Sequence, residues 1–134
     1  MKSLSGKGLF TWKLKNCEGG HVDQIIEEGL RAGLTHILVK IADGVTLYNQ
    51  TVPLLDIINA LKLAGFQVWG WQYTYGGVWI DSDHNPHYGD HTPEDEARVG
   101  AARALELGVD GFVVDAEQEY KVLNQRERAR RLIF

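Results

Sequence analysis

Short apolar runs recur along this chain, and each of the last three follows a glycine. The stretches "RAGLTHILVKIADG", "KLAGFQVWGWQYTYG" and "ELGVDGFVVDAEQEY" predict a helix ending at Gly33, Gly65 or Gly108, followed by a strand. Glycine is common just past a helix because it adopts left-handed φ without strain. The first predicted strand, "GLFTWKL" from Gly8 to Leu14, follows this plan more loosely. The pattern therefore predicts four strand–helix units.

Apolar residues at helical spacing predict the helices between these strands. One stripe consists of Val22, Ile25, Ile26, Gly29 and Leu30, and a second, after Pro53, consists of Leu54, Ile57, Ile58 and Leu61. A third helix is predicted to begin at Thr92 and Pro93, with Thr92 as N-cap and acids in the first turn. It continues through Ala97, Ala101, Ala104 and Leu105. Asn124 is predicted to cap a fourth helix through "QRERARRLIF".

Alternating strands and helices predict a single α/β domain over residues 1–134, with a parallel sheet and helix crossovers. Two architectures fit: a small doubly wound sheet, or four units forming half of a (βα)8 TIM barrel. The strand faces favour the half-barrel, since they carry large side chains with polar tips that suit a barrel interior. These faces comprise His36, Leu38 and Lys40; Gln67, Trp69, Trp71, Tyr73 and Tyr75; and Asp115, Glu117 and Glu119, whereas Phe112, Val114 and Ala116 are predicted to face the helices.

Half a barrel would leave its inner face and two sheet edges exposed to water. We therefore expect a two-fold homodimer that closes the barrel, or a related dimer that buries the same surface. The alternative is that this chain is the front half of a longer protein.

The composition and charge of the chain limit the kinds of partner that it could bind. The chain is 44% hydrophobic, its net charge is −4, and its basic residues form no long patch, which argues against nucleic-acid and membrane-surface roles. No apolar run reaches membrane-spanning length, and the N-terminal segment lacks a signal-peptide core. The single cysteine, Cys17, cannot form an internal disulfide. The cytoplasm is the default location, unless a signal has been removed.

Three carboxylates at alternate positions, Asp115, Glu117 and Glu119, are the strongest candidate chemistry. On one strand they would point the same way, at the end of the strand where barrel enzymes place their active sites. Crowded carboxylates can separate their pKa values into the acid and the ionised partner that glycoside hydrolysis requires. The alternative is that Lys40, or another basic neighbour, simply neutralises them.

Two other features could take part in binding. The aromatic residues Trp69, Trp71, Tyr73 and Tyr75, with Trp12 and Trp79, could stack on sugar rings or fill a core or dimer interface. The segment from Asp81 to His91, "DSDHNPHYGDH", holds possible metal ligands, but its spacing matches no standard metal motif and favours a polar lid loop. The pairs Gly19-Gly20 and Gly76-Gly77 match no phosphate-binding signature, so no cofactor is expected.

The order of these features resembles the N-terminal half of barrel glycoside hydrolases, most closely the family 25 lysozyme-like fold. The stretches "THILVKIADGVTLYN", "ALKLAGFQVWGWQYTYG" and "GFVVDAEQEY" carry the resemblance. It implies that Asp115 and Glu117 occupy an Asp-x-Glu motif, with Glu117 as the acid. It also places Lys40, Asp43 and Gly44 in the turn after the second strand. The first strand, "GLFTWKL", departs from the family, which has an Asp there.

Overall fold

A computed structural model describes residues 2–121 and 125–133. The helices in these ranges are α1 (Val22–Arg31), α2 (Leu54–Leu63), α3 (Pro93–Leu107) and α4 (Gln125–Ile133). The strands are β1 (Lys7–Thr11), β2 (Leu34–Asp43), β3 (Thr46–Leu47), β4 (Gln67–Thr74), β5 (Val78–Ile80), β6 (Pro86–Tyr88) and β7 (Gly111–Ala116). Short 3₁₀ turns occupy Leu14–Asn16, Glu18–Gly20 and Gln118–Lys121. None of the helices described is long and apolar enough to cross a membrane.

The main sheet is parallel and its strands follow chain order, β1-β2-β4-β7. Strand β3 adds a short antiparallel pair to β2, while β5 and β6 form a separate hairpin. The predicted α/β fold with a mostly parallel sheet is confirmed. Doubly wound sheets reverse their strand order at a switch point, and this sheet has no such reversal among its described strands.

The core lies between one face of the sheet and helices α1, α2 and α3. Strand residues Ile37, Val39, Ile41 and Val68 pack there with Ile25, Leu54, Ile57, Ile58 and Leu61, all of which are buried. Because strand side chains alternate, Leu38, Lys40, Trp69 and Trp71 project from the opposite face. Phe10 and Trp12 on that face keep 53% and 57% of their surface exposed. We call it the aromatic face: Phe10, Trp12, Leu38, Lys40, Trp69, Trp71 and Tyr73.

The predicted helix boundaries are confirmed where the sequence carries a specific cap. The Thr92 hydroxyl accepts a hydrogen bond from the Asp95 amide, and the Asp95 carboxylate accepts one from the Thr92 amide, which completes a capping box. Gly108 ends α3 with φ of 61°, the left-handed conformation that glycine tolerates. Leu30 does not belong to the buried stripe of α1, because it is 57% exposed. Asn124 lies outside the described residues.

Two strands are shorter than the sequence predicted. Strand β1 ends at Thr11 rather than Leu14, since Leu14–Asn16 turns into a 3₁₀ helix. Strand β7 ends at Ala116, so Glu117 and Glu119 do not continue the alternation of Asp115. The three acids are therefore not in line on one strand.

The helix-facing side of β7 is covered only in part. Phe112 packs against the core as predicted, whereas Val114 is 40% exposed and Ala116 is exposed. Phe112, Val114 and Ala116 share one face of β7, as strand alternation predicts, but only Phe112 is covered by the core.

Candidate functional site

Lys40 lies at the centre of the aromatic face and is almost fully buried, at 3% exposure. Its ammonium group lies 4.9 to 5.9 Å from four ring centroids, those of Tyr48, Trp71, Trp12 and Tyr73. A cation over aromatic rings is attracted to their electron-rich faces. Lys40 also forms an ion pair with Asp43. Its charge is therefore neutralised by Asp43, and the alternative in which Lys40 simply neutralises the β7 acids loses its support.

A bulge in β2 explains this pairing. Side chains three residues apart on a regular strand face opposite sides of the sheet. The register with β4 shifts between Lys40 and Ala42, so an extra residue is accommodated there. The shift turns Asp43 to the same side as Lys40. The motif "KIAD" thus forms a local ion pair at the C-terminal end of the sheet.

Two tyrosines connect this pair to the acids after β7. The Tyr75 hydroxyl donates to Asp43 Oδ1 at 2.6 Å, and the Tyr73 hydroxyl donates to Glu119 Oε2 at 2.8 Å. Burial, followed by these hydrogen bonds, raises the pKa of both tyrosines well above the usual range. The charge of Glu117 also contributes to the raised pKa of Tyr73.

The remaining acids, Asp115 and Glu117, are accessible. Asp115 pairs with Tyr73 across the sheet and is half-buried, whereas Glu117 is exposed. Within residues 2–121 and 125–133, neither side chain forms a hydrogen bond or an ion pair. Both carboxylates are therefore free of described protein partners and available to a ligand.

The candidate aromatic residues are not equivalent. The Trp71 indole is buried and donates from Nε1 to the Thr11 carbonyl at 2.7 Å, while its ring lies 4.6 Å from that of Phe10. Trp69 is half-buried, and its Nε1 donates to Gln67. Trp12 is the most exposed ring of the aromatic face. Trp79 lies apart on the β5–β6 hairpin, stacked on His87 at 4.1 Å.

Glu96, which the sequence did not single out, holds the loop after β4 in place. It is fully buried, and its carboxylate accepts hydrogen bonds from the amides of Tyr75 and Gly76 and from the His91 ring at 2.9 to 3.0 Å. Glu96 therefore positions Tyr75 at the edge of the site. The available signal was its spacing, since Glu96, Gly100 and Leu107 form the buried stripe of α3.

Tyr120 packs below this loop. Burial and the charge of Glu96 raise the pKa of Tyr120 to about 12. Its buried ring closes the space beneath Gly76, since a Cβ added to Gly76 would lie 3.0 Å from the Tyr120 ring.

The segment from Asp81 to His91, predicted to be a lid loop, contains part of the β5–β6 hairpin. Asp81 caps its turn by accepting hydrogen bonds from the His87 ring at 2.7 Å and from the amides of Asp83 and Asn85. These hydrogen bonds hold the pKa of Asp81 below its usual range, and the bond from His87 contributes most. Across the part of the chain that the structure describes, no group of three or more potential metal ligands could hold an ion.

The fold and this site define an α/β protein with polar and aromatic groups at the C-terminal end of a mostly parallel sheet. No protein-family profile matches the chain, and no curated protein is significantly similar to it. A solved structure of a hypothetical protein from Ruminiclostridium thermocellum ATCC 27405 is similar, with a TM-score of 0.61 and 12% sequence identity. The match covers 93% of this chain and 89% of that chain. At this identity the likeness supports the fold alone.

Proposed function

We propose that this chain is a (βα)4 half-barrel that acts on or binds carbohydrate at its aromatic face. The observation that most supports this proposal is that the exposed Trp12 ring and the accessible carboxylates Asp115 and Glu117 lie at the same end of the sheet. Sugar rings present apolar faces that stack on aromatic side chains, and their hydroxyls bond to carboxylates.

In the hydrolytic form of this proposal, Glu117 protonates the oxygen of the leaving sugar. As the glycosidic C–O bond breaks, Asp115 stabilises the positive charge that develops on the sugar ring; water then adds to that carbon and gives its proton back to the Glu117 carboxylate, which completes the hydrolysis. Trp69, Trp71, Tyr73, Tyr75, Lys40 and Glu119 shape the surface beside them. Because Lys40 is already paired with Asp43, it does not neutralise the two carboxylates that the chemistry needs.

Replacing Glu117 by Gln is expected to abolish cleavage in a panel of glycans and peptidoglycan, while leaving the fold unchanged. The amide keeps the shape of the side chain but cannot donate the proton, and general acid catalysis contributes about 10²–10⁴-fold to rate. Cleavage is followed as release of reducing ends, and the fold by circular dichroism.

Glu27→Gln is the matched control, since Glu27 is an exposed acid on α1 away from the site. A Glu117→Gln variant that cleaves at the wild-type rate would remove Glu117 from the mechanism. If no glycan is cleaved, glycan binding is measured instead, for the wild type and for Trp12→Ala and Trp79→Ala. Both tryptophans are exposed, and only Trp12→Ala should weaken binding.

A second candidate function is self-association, and the exposure of the aromatic face favours it. Strands β1 and β7 form the two edges of the described sheet, and Phe10 remains 53% exposed on the face opposite the helices. Two copies would supply the eight strands of a closed barrel and cover both edges. This half-barrel would be non-catalytic, or would form its site only in the dimer.

Light scattering after size exclusion should give twice the 15.0 kDa chain mass if the barrel closes in this way. Phe10→Glu should then return the protein to the monomer, because it would bury a charge at the interface. Leu55→Glu is the matched control, at 49% exposure on α2. A monomeric wild-type chain, or equal effects of the two variants, would contradict barrel closure by this face.

A further inference from the structure

A cavity of about 210 Å³ lies between the loops that follow β1 and β3, beside the aromatic face. Its lining residues are Lys13, Lys15, Tyr48, Asn49, Gln50 and Thr51. All of them carry hydrogen-bond donors, and no carboxylate is among them. The cavity therefore differs in charge from the carboxylate-bearing end of β7, although the whole chain has a net charge of −4.

Gln50 fixes the two loops that form this cavity. Its amide nitrogen donates to the carbonyls of Trp12 and Lys40 at 3.0 and 3.1 Å, and its oxygen accepts from the Leu14 amide at 3.1 Å. One side chain thus ties the end of β1 to the end of β2. A cavity held in this way is formed before a ligand arrives, which lowers the entropic cost of binding.

The two lysines of the cavity have no ion-pair partner within residues 2–121 and 125–133. The Lys13 ammonium lies 4.9 Å from the Trp12 ring centroid, so its contact there is with a neutral ring. Both lysines line the same cavity, so an anion bound there would be attracted by two positive charges.

The neutral lining residues also favour an acceptor ligand. The side-chain oxygen of Asn49, Oδ1, already accepts a hydrogen bond from Arg103 at 3.1 Å. The hydrogens of the Asn49 side-chain amide are therefore the groups available to a ligand. Thr51 and Tyr48 add hydroxyl donors. Several converging donors with two positive charges match an oxyanion, which accepts hydrogen bonds at each oxygen.

We infer that this cavity binds the oxyanion of a ligand, a carboxylate or a phosphate group. This inference goes beyond the carbohydrate proposal and stands without it. The cavity adjoins Trp12, so an acid group could belong to a ligand that also stacks on that ring. The same donors would hold a free phosphate equally well.

The test is calorimetric titration of the whole chain with sodium phosphate, sodium acetate and sodium glucuronate. Ionic strength is held constant with sodium chloride, because general screening would otherwise imitate weakened binding. At least one probe should bind saturably. The double variant Lys13→Gln/Lys15→Gln should weaken that binding about tenfold or more, since hydrogen bonds to charged groups are among the stronger ones.

Lys7→Gln is the control, because Lys7 lies at the opposite end of β1 and donates to the Ala32 carbonyl. It should change the affinity by less than about twofold, as expected for a distant surface charge. Tighter binding of glucuronate than of acetate would assign the anion to a sugar acid, and tighter binding of phosphate would assign it to a phosphoryl group.

Absence of saturable binding for all three probes would overturn the inference, as would equal weakening by Lys7→Gln. This outcome is separable from failure of the carbohydrate proposal. Binding or cleavage of neutral glycans tests Trp12 and Glu117 and requires no anion at the two lysines.

Discussion

Replacing Glu96 by Ala is expected to lower the free energy of unfolding by about 3–5 kcal/mol, since each buried donor left without a partner costs about 1–3 kcal/mol. The lost carboxylate serves the Tyr75 and Gly76 amides and the His91 ring, all in the loop beside the site. Urea unfolding followed by circular dichroism measures the change. Because whole domains are stabilised by only about 5–15 kcal/mol, the variant would lose much of its stability.

Glu94→Ala is the matched control for this prediction. Glu94 lies in the same first turn of α3, but it is partly exposed and paired with Arg131 across the surface. Exposed pairs contribute little, so this variant should unfold close to the wild-type denaturant concentration. If Glu96→Ala does not fold at all, Glu96→Gln keeps the volume and one acceptor and should show an intermediate loss. Equal stability of the Glu94 and Glu96 variants would contradict the anchoring role of Glu96.

The sequence predicted the arrangement of elements well because its signals are local. Glycines past helix ends, the Thr92-Pro93 start and the apolar stripe of α2 each depend on a few neighbouring residues. The structure agrees at these points, with Gly108 at φ of 61° and Leu54, Ile57, Ile58 and Leu61 buried. Such features require no knowledge of distant contacts.

The site was predicted only in outline, because strict alternation does not hold at strand ends. The count from Asp115 to Glu119 assumed a continuous strand, but β7 ends at Ala116 and a 3₁₀ turn follows. In β2 the shift after Lys40 brings Asp43 to its side, which period-two counting excludes. Glu96 was missed because acids in a first helical turn are common for capping and dipole reasons, although its spacing from Gly100 and Leu107 places it on the buried side of α3.

The pairing of Lys40 with Asp43 connects the fold to the proposed function. Burying an ammonium group among four rings is costly unless a counter-charge is close, because the ion loses its water. Asp43 supplies that charge and also accepts the hydrogen bond that positions Tyr75, so one carboxylate fixes both the Lys40 ammonium and the Tyr75 ring. Asp115 and Glu117 are then left for a ligand.

Replacing Asp43 by Ala should accordingly destabilise the protein more than replacing Lys40 by Met. Loss of Asp43 leaves the Lys40 ammonium buried and unpaired. Breaking a fully buried ion pair in this way costs about 3–5 kcal/mol. Because the Asp43 side chain is 30% exposed, we expect a smaller loss of about 2 kcal/mol here. Lys40→Met removes the buried charge and places a flexible apolar chain among the four rings, at an expected cost below about 1 kcal/mol. The double variant, measured by urea unfolding, should therefore be more stable than Asp43→Ala alone. Strictly additive losses would instead mean that the two side chains do not interact.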